Sequence, residues 1–215
     1  MDRPRYIAVE GPIGVGKTSL VELLCQEFNG RGIYEKAYSN PFLKDFYLDR
    51  KKHAFQTQLF FLLSRYQQQK DLNQQDLFSS VTVSDYIFAK DRIFAHLNLD
   101  DNELFLYEQI YKLLDEEIPK PDLVIFLQTS TEILIKRIGQ RGKEFEMNIA
   151  PDYIDEVSQA YNKFFFSYNE TPLLLVVASD MDFVNSKDDF RSLLKEINRM
   201  KKGTQHYIPR FTAQL

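Results

Sequence analysis

Short apolar runs recur along the chain at Tyr6–Val9, Val81–Val83, Leu123–Leu127 and Leu173–Val177, with a weaker one at Gly32–Tyr34, and longer stretches of helical periodicity separate them. The runs are continuous rather than alternating, which predicts strands covered on both faces, as in a parallel sheet. Between the weak second run and Val81 lies a long insert, Pro41 to Phe78, rich in Phe, Leu, Tyr and Gln. It predicts two helices, because Leu59, Leu62, Leu63 and Tyr66 repeat at helical spacing. Pro119-Lys120-Pro121 stops the helix before the fourth strand. The expected class is α/β: a three-layer, doubly wound parallel sheet. One domain is expected over residues 1–200, followed by a tail, Lys201 to Leu215, without amphipathic patterning.

Composition narrows the choice of partners. A chain of 215 residues with 44% hydrophobic content suffices for one continuous core. A net charge of −4 argues against a coat for nucleic acid and points to small partners. No apolar run approaches the roughly 18 residues needed to span a bilayer, so no membrane partner is expected. The first strand begins close to Met1, which leaves no room for a leader and predicts a cytoplasmic protein. Cys25 is the only cysteine and falls in an apolar helical pattern, so a buried structural thiol is expected.

The strongest chemical signal is Gly11-Pro12-Ile13-Gly14-Val15-Gly16-Lys17-Thr18, which satisfies G-x-x-x-x-G-K-[ST] between a predicted strand and a predicted helix. Glycines let the backbone wrap phosphate oxygens with its N–H groups inward, and the helix N-terminus adds partial positive charge. Lys17 is expected to reach the β- and γ-phosphates of ATP, and the Thr18 hydroxyl to ligate Mg²⁺. The guanine-reading motif Asn-Lys-x-Asp is missing, since Asn162-Lys163 runs into Phe164-Phe165, which disfavours an ordinary GTPase. A kinase for a small acceptor remains.

Beyond this loop the chain resembles the deoxyribonucleoside kinase family over about residues 5 to 200. The resemblance rests on Gly11 to Thr18, then Glu35, Tyr47 and Gln58, Leu63-Ser64-Arg65, Ser84-Asp85, Asp122 to Leu127, and Arg137-Ile138 through Glu146. It implies a five-stranded parallel sheet, usually a homodimer, and 5′-phosphorylation of deoxyadenosine, deoxyguanosine or deoxycytidine by ATP in nucleotide salvage. In the matching positions Glu35 accepts the 5′-hydroxyl proton, Tyr47 and Glu146 hold the sugar 3′-hydroxyl, and Gln58 reads the base. Gln58 and Arg65 lie two helical turns apart and so project from one face. The resemblance pairs Arg65 with Asp91, a combination that favours purine deoxynucleosides or deoxycytidine over thymidine. Arg137, Arg141 and Lys143 resemble the family's lid, whose cations stabilise the transferring phosphoryl group. Ser179 to Asn185 match the loop that passes the donor adenine.

One departure stands out. Where the family has arginine after the acidic residue of the third strand, this chain reads Asp85-Tyr86-Ile87. Asp85 can still serve as a Mg²⁺ carboxylate, and Lys90 is the candidate replacement for the missing cation. Two other readings stay open at this point. One is a thymidylate-kinase-like monophosphate kinase, and the other a non-catalytic P-loop nucleotide-binding protein.

Overall fold

The computed structural model describes residues 4–75, 81–142, 146 and 149–209. Its centre is a wholly parallel sheet built from β1 (Tyr6–Glu10), β2 (Arg31–Ile33), β3 (Thr82–Ser84), β4 (Leu123–Gln128), β5 (Leu173–Val177) and β6 (Thr204–Tyr207). The spatial order is β2-β3-β1-β4-β5-β6. Successive residues of a strand point to opposite faces, yet Ile7, Ala8, Val9 and Glu10 are all at most 1% exposed and Leu123 to Leu127 at most 2%. Both faces of the central strands are therefore covered, as the continuous apolar runs predict.

Among the described residues the sheet has six strands, one more than the resemblance implies. The sixth lies in the segment read as a patternless tail. Its register runs Leu173↔Thr204 to Val176↔Tyr207. Thr-Gln-His-Tyr carries no apolar run because β6 is an edge strand. It is held by backbone hydrogen bonds to β5 and by Tyr207 packing on the core, and neither leaves a hydrophobic signature in the sequence.

The helices are α1 (Lys17–Phe28), α2 (Leu43–Leu48), α3 (Arg50–Gln75), α4 (Lys90–Asn98), α5 (Asp101–Asp115), α6 (Thr131–Arg141), α7 (Pro151–Phe166) and α8 (Lys187–Arg199). Among its described residues the insert thus holds two helices, α2 and the much longer α3. Asp100 and Glu103 form a reciprocal capping box that starts α5, and Pro151 occupies the first turn of α7, where its missing N–H costs nothing. Cys25 is half-buried at the edge of the core rather than inside it, and burial raises its thiol pKa, so the thiolate is disfavoured. Among the described residues no helix is long and apolar enough to cross a membrane.

The register of β2 on β3 positions the chemistry. Ile33 pairs with Ser84, so the residues that follow leave the same C-terminal sheet edge side by side. Asp85 N–H donates to Ile33 O at 3.0 Å, and Glu35 N–H donates to Asp85 Oδ1 at 2.7 Å. Ligands of open α/β sheets lie outside this edge.

Candidate active site

The Gly11–Thr18 loop leaves β1 and enters α1 at Lys17. All three of its glycines have positive φ. Gly11 has φ 148°, and a Cβ there would lie 2.5 Å from Leu127 O; Gly16, at φ 108°, is the residue from which α1 starts. No side chain caps that helix, so its first N–H groups remain available for an anion. Lys17 Nζ donates to Gly11 O at 2.7 Å and Pro12 O at 3.1 Å. Burial, reinforced by the neighbouring charge of Lys90, lowers the Lys17 pKa to about 8.

Beside the loop lies a cavity of about 480 Å³, lined by Gly14 to Ser19, by Arg137 and Arg141 of α6, and by Met181 to Asn185. Arg137 Nη1 donates to Val15 O at 3.1 Å. Lys143, the third cation of the expected lid, lies outside the described residues.

A second cavity, of about 150 Å³, shares Gly14, Lys17, Thr18 and Arg141 with the first. Glu35, Tyr47, Gln58, Arg65, Asp85, Lys90 and Glu146, drawn from across the chain, all line it. Glu35 is clamped: Lys90 Nζ donates to its Oε2 at 2.5 Å, and Arg65 Nη2 donates to its Oε1. Burial pushes the Glu35 pKa up, but the charges of Arg65 and Lys90 outweigh it and hold the carboxyl well below the usual range. Arg65 also pairs through Nη1 with Asp91, which is completely buried behind the cavity wall. On the opposite side Arg141 donates to Glu146 Oε2 from Nε at 2.9 Å and from Nη2 at 2.5 Å. Tyr47 sits near Glu146, and burial drives its phenol pKa far up, so it is a neutral donor.

Tyr86 occupies the place of the missing arginine. It is fully buried, its ring centroid lies 5.8 Å from the Arg65 guanidinium, and its hydroxyl donates to Gln68 Oε1 at 3.1 Å. The cation nearest Glu35 from this segment comes instead from Lys90, at the start of α4.

Thr18 Oγ1 donates to Asp85 Oδ2 at 3.0 Å. A hydroxyl and a carboxylate are hard oxygen donors that suit Mg²⁺, which takes one or two protein ligands and otherwise phosphate and water. Consistent with so sparse a set, the described residues contain no cluster of three or more His, Cys, Asp or Glu able to hold a metal.

Sequence reading missed Glu10. Wholly buried at the end of β1, it accepts from Gly11 N at 3.0 Å and from Ile87 N at 2.9 Å, tying the phosphate loop to the segment that carries Asp85 and Lys90. The one available signal was a carboxylate closing an apolar strand. Phe61, Phe94 and Tyr153 also line the second cavity, but among so many aromatic residues no spacing singled them out.

A phosphate loop at the C-terminal edge of β1, opening into a second, smaller cavity with a clamped carboxylate in its lining, defines a P-loop phosphotransferase. The family model for deoxynucleoside kinase matches residues 7–202, and the chain belongs to that family. A deoxyguanosine kinase of Bacillus subtilis (strain 168) is 36% identical over 205 residues, covering 93% of this chain and 99% of its own. A deoxyadenosine kinase of Lactobacillus acidophilus is 30% identical over 208 residues, covering 90% and 95% respectively. Among solved structures, deoxyadenosine kinase from M. mycoides with dCMP and dCDP bound superposes with TM-score 0.78 at 25% identity, covering 90% of this chain and 98% of that one. The protein is a kinase.

Proposed function

We propose that the chain transfers the γ-phosphoryl group of ATP to the 5′-hydroxyl of a deoxyribonucleoside and prefers purine deoxynucleosides or deoxycytidine to thymidine. The observation that carries this reading is Glu35. It lies in the smaller cavity, next to the point where that cavity meets the phosphate loop, with two cations on its oxygens.

In this reading the donor triphosphate lies along Gly11 to Thr18, with Lys17 at its outer phosphates and Met181 to Asn185 beside the adenine. Thr18 and Asp85 hold Mg²⁺, which neutralises charge on the phosphates when bound. Glu35 orients the 5′-hydroxyl and takes its proton. The carboxyl's low pKa makes it a weak base, which suffices because the transition state of phosphoryl transfer is loose and the proton leaves late. Lys90, Arg137 and Arg141 offset negative charge on the moving group. Tyr47 and Glu146 hold the 3′-hydroxyl, Gln58 pairs with a base edge, and the Arg65–Asp91 pair sets which base is accepted. A neutral acceptor suits Tyr86, since a monophosphate would need a further cation there. The homodimer and the cytoplasmic setting expected from the sequence belong to the same proposal, and light scattering measures the first.

The test is Mg²⁺-ATP-dependent phosphorylation of the four deoxynucleosides in parallel with their monophosphates, with Glu35→Gln as control. Turnover of a nucleoside that collapses in the variant supports the reading, thymidine as best acceptor overturns the assigned preference, and turnover of monophosphates alone overturns the acceptor class.

A further inference from the structure

Three buried polar side-chain atoms of the described residues meet no partner, Arg65 Nε, Asp91 Oδ2 and the Tyr107 hydroxyl, while Asp91 Oδ1 is held by the ion pair with Arg65 Nη1. Folded proteins leave few such atoms, and each calls for an explanation. These three atoms belong to three side chains, two of them the ion-paired Arg65 and Asp91. Tyr107, on α5, is 0% exposed and packs in a small apolar cluster with Leu62, Phe88 and Ala95. Leu62 lies one turn before Arg65 on α3, while Phe88 and Ala95 lie about one turn to either side of Asp91. Helix α5 packs against both α3 and α4, the helices that carry Arg65 and Asp91.

Donor and acceptor capacities complete the picture. The ion pair with Arg65 Nη1 leaves the Asp91 carboxylate with spare acceptor capacity, Arg65 Nε needs an acceptor, and a phenol is both donor and acceptor. A single hydroxyl can therefore answer both kinds of unmet group, and phenylalanine at the same place would answer neither. Tyr107 lines neither cavity. Its influence on a bound nucleoside has to pass through the pair in front of it.

We propose that Tyr107 is a positioning residue for base selection: its hydroxyl bonds Asp91 through one ordered water, and so fixes the plane in which the Arg65 guanidinium meets the nucleobase. This rests on the reading of Arg65 and Asp91 as the base-selecting pair. Loss of the hydroxyl leaves both charges in place but loosens the Arg65 fork, so it weakens binding of the bases that Arg65 favours more than binding of thymidine.

The experiment compares Tyr107→Phe, Asp91→Asn and the double variant with the unmodified protein, measuring kcat and KM for deoxyadenosine, deoxyguanosine, deoxycytidine and thymidine, with Tm alongside. The expected result is a drop of about tenfold, equivalent to 1.4 kcal/mol, in the kcat/KM preference of Tyr107→Phe for its best substrate over thymidine. The change should come mainly through KM, and the double variant should match Asp91→Asn. An equal loss for all four nucleosides, a Tm change alone, or a Tyr107→Phe effect that persists undiminished in the Asp91→Asn background overturns the proposal. If Asp91→Asn leaves the preference untouched, the base-selecting reading fails and this proposal with it; if only Tyr107→Phe leaves it untouched, this proposal alone fails. Should Asp91→Asn not fold, a crystal structure of the unmodified protein decides, because a Tyr107 hydroxyl paired away from Asp91 and its water overturns the assignment.

Discussion

Lys90 Nζ lies 2.5 Å from Glu35 Oε2, so a lysine one turn beyond Tyr86 meets the carboxylate that the resemblance would place beside an arginine. The lysine is 4% exposed, and in the proposed mechanism it stands next to the reacting oxygen. A compact point charge offers no bidentate grip but does stabilise a developing anion. Lys90→Ala is expected to lower kcat by about 10²- to 10³-fold while nucleoside KM changes far less. Steady-state kinetics check this, and turnover within a few-fold of the unmodified enzyme rules Lys90 out as the missing cation.

Tyr47 and Glu146 both line the smaller cavity, from α2 and from the segment after α6. A site that satisfies a hydroxyl with a donor and an acceptor rejects analogues without it, because its own polar groups are then stranded. Tyr47→Phe should reduce the preference for a 2′-deoxynucleoside over its 2′,3′-dideoxy analogue by about tenfold or more. Equal losses on both substrates would mean that Tyr47 only shapes the cavity.

Gly139 lies inside α6, and a Cβ added there meets nothing within 4 Å. Its cost is backbone entropy alone. Gly139→Ala should stabilise the protein by about 1 kcal/mol, a rise in Tm of roughly 2–4 °C at this chain length. Calorimetry checks the sign, and a lower Tm would show that α6 depends on glycine at this position.

Burial pushes the phenols of Tyr153 and Tyr168 up to about 12, from an ordinary value of 10.0. Below about pH 10 these groups are neutral in folded and unfolded chains alike, and their contribution is intact. Between about pH 10 and 12 the unfolded chain loses these protons first, so stability falls as pH rises. Urea midpoints measured from about pH 9 to 11.5 should show that decline, with a shallower slope in the double Tyr153→Phe/Tyr168→Phe variant. Identical slopes would place the alkaline sensitivity in other groups.

Local signals in the chain foretold local features. The runs of β1 and β4 read as buried strands because both faces of each are covered, and the phosphate loop read as an anion cradle because its glycines and the following helix are adjacent in sequence. Features that depend on distant partners were not legible. β6 is polar and owes its place to β5. Glu10 resembles an unremarkable strand end until the fold sets Gly11 and Ile87 against its two oxygens. Gln58 and Arg65 could be put on one helical face by spacing, whereas Tyr107 behind them belongs to another helix and follows no period. That Arg65 holds Glu35 as well as Asp91 could not be read at all, since the ion pairs span three separate elements.

Arg141 lines both cavities, yet two of its nitrogens rest on Glu146, which borders only the acceptor side. If the two cavities take donor and nucleoside as proposed, its guanidinium is a shared coordinate of two binding equilibria. A donor that draws Arg141 toward its phosphates alters the affinity for nucleoside, and by linkage the nucleoside alters the affinity for donor by the same factor. In the proposed reading the two dissociation constants are tied by one residue's position, so a change at this arginine that tunes one moves the other.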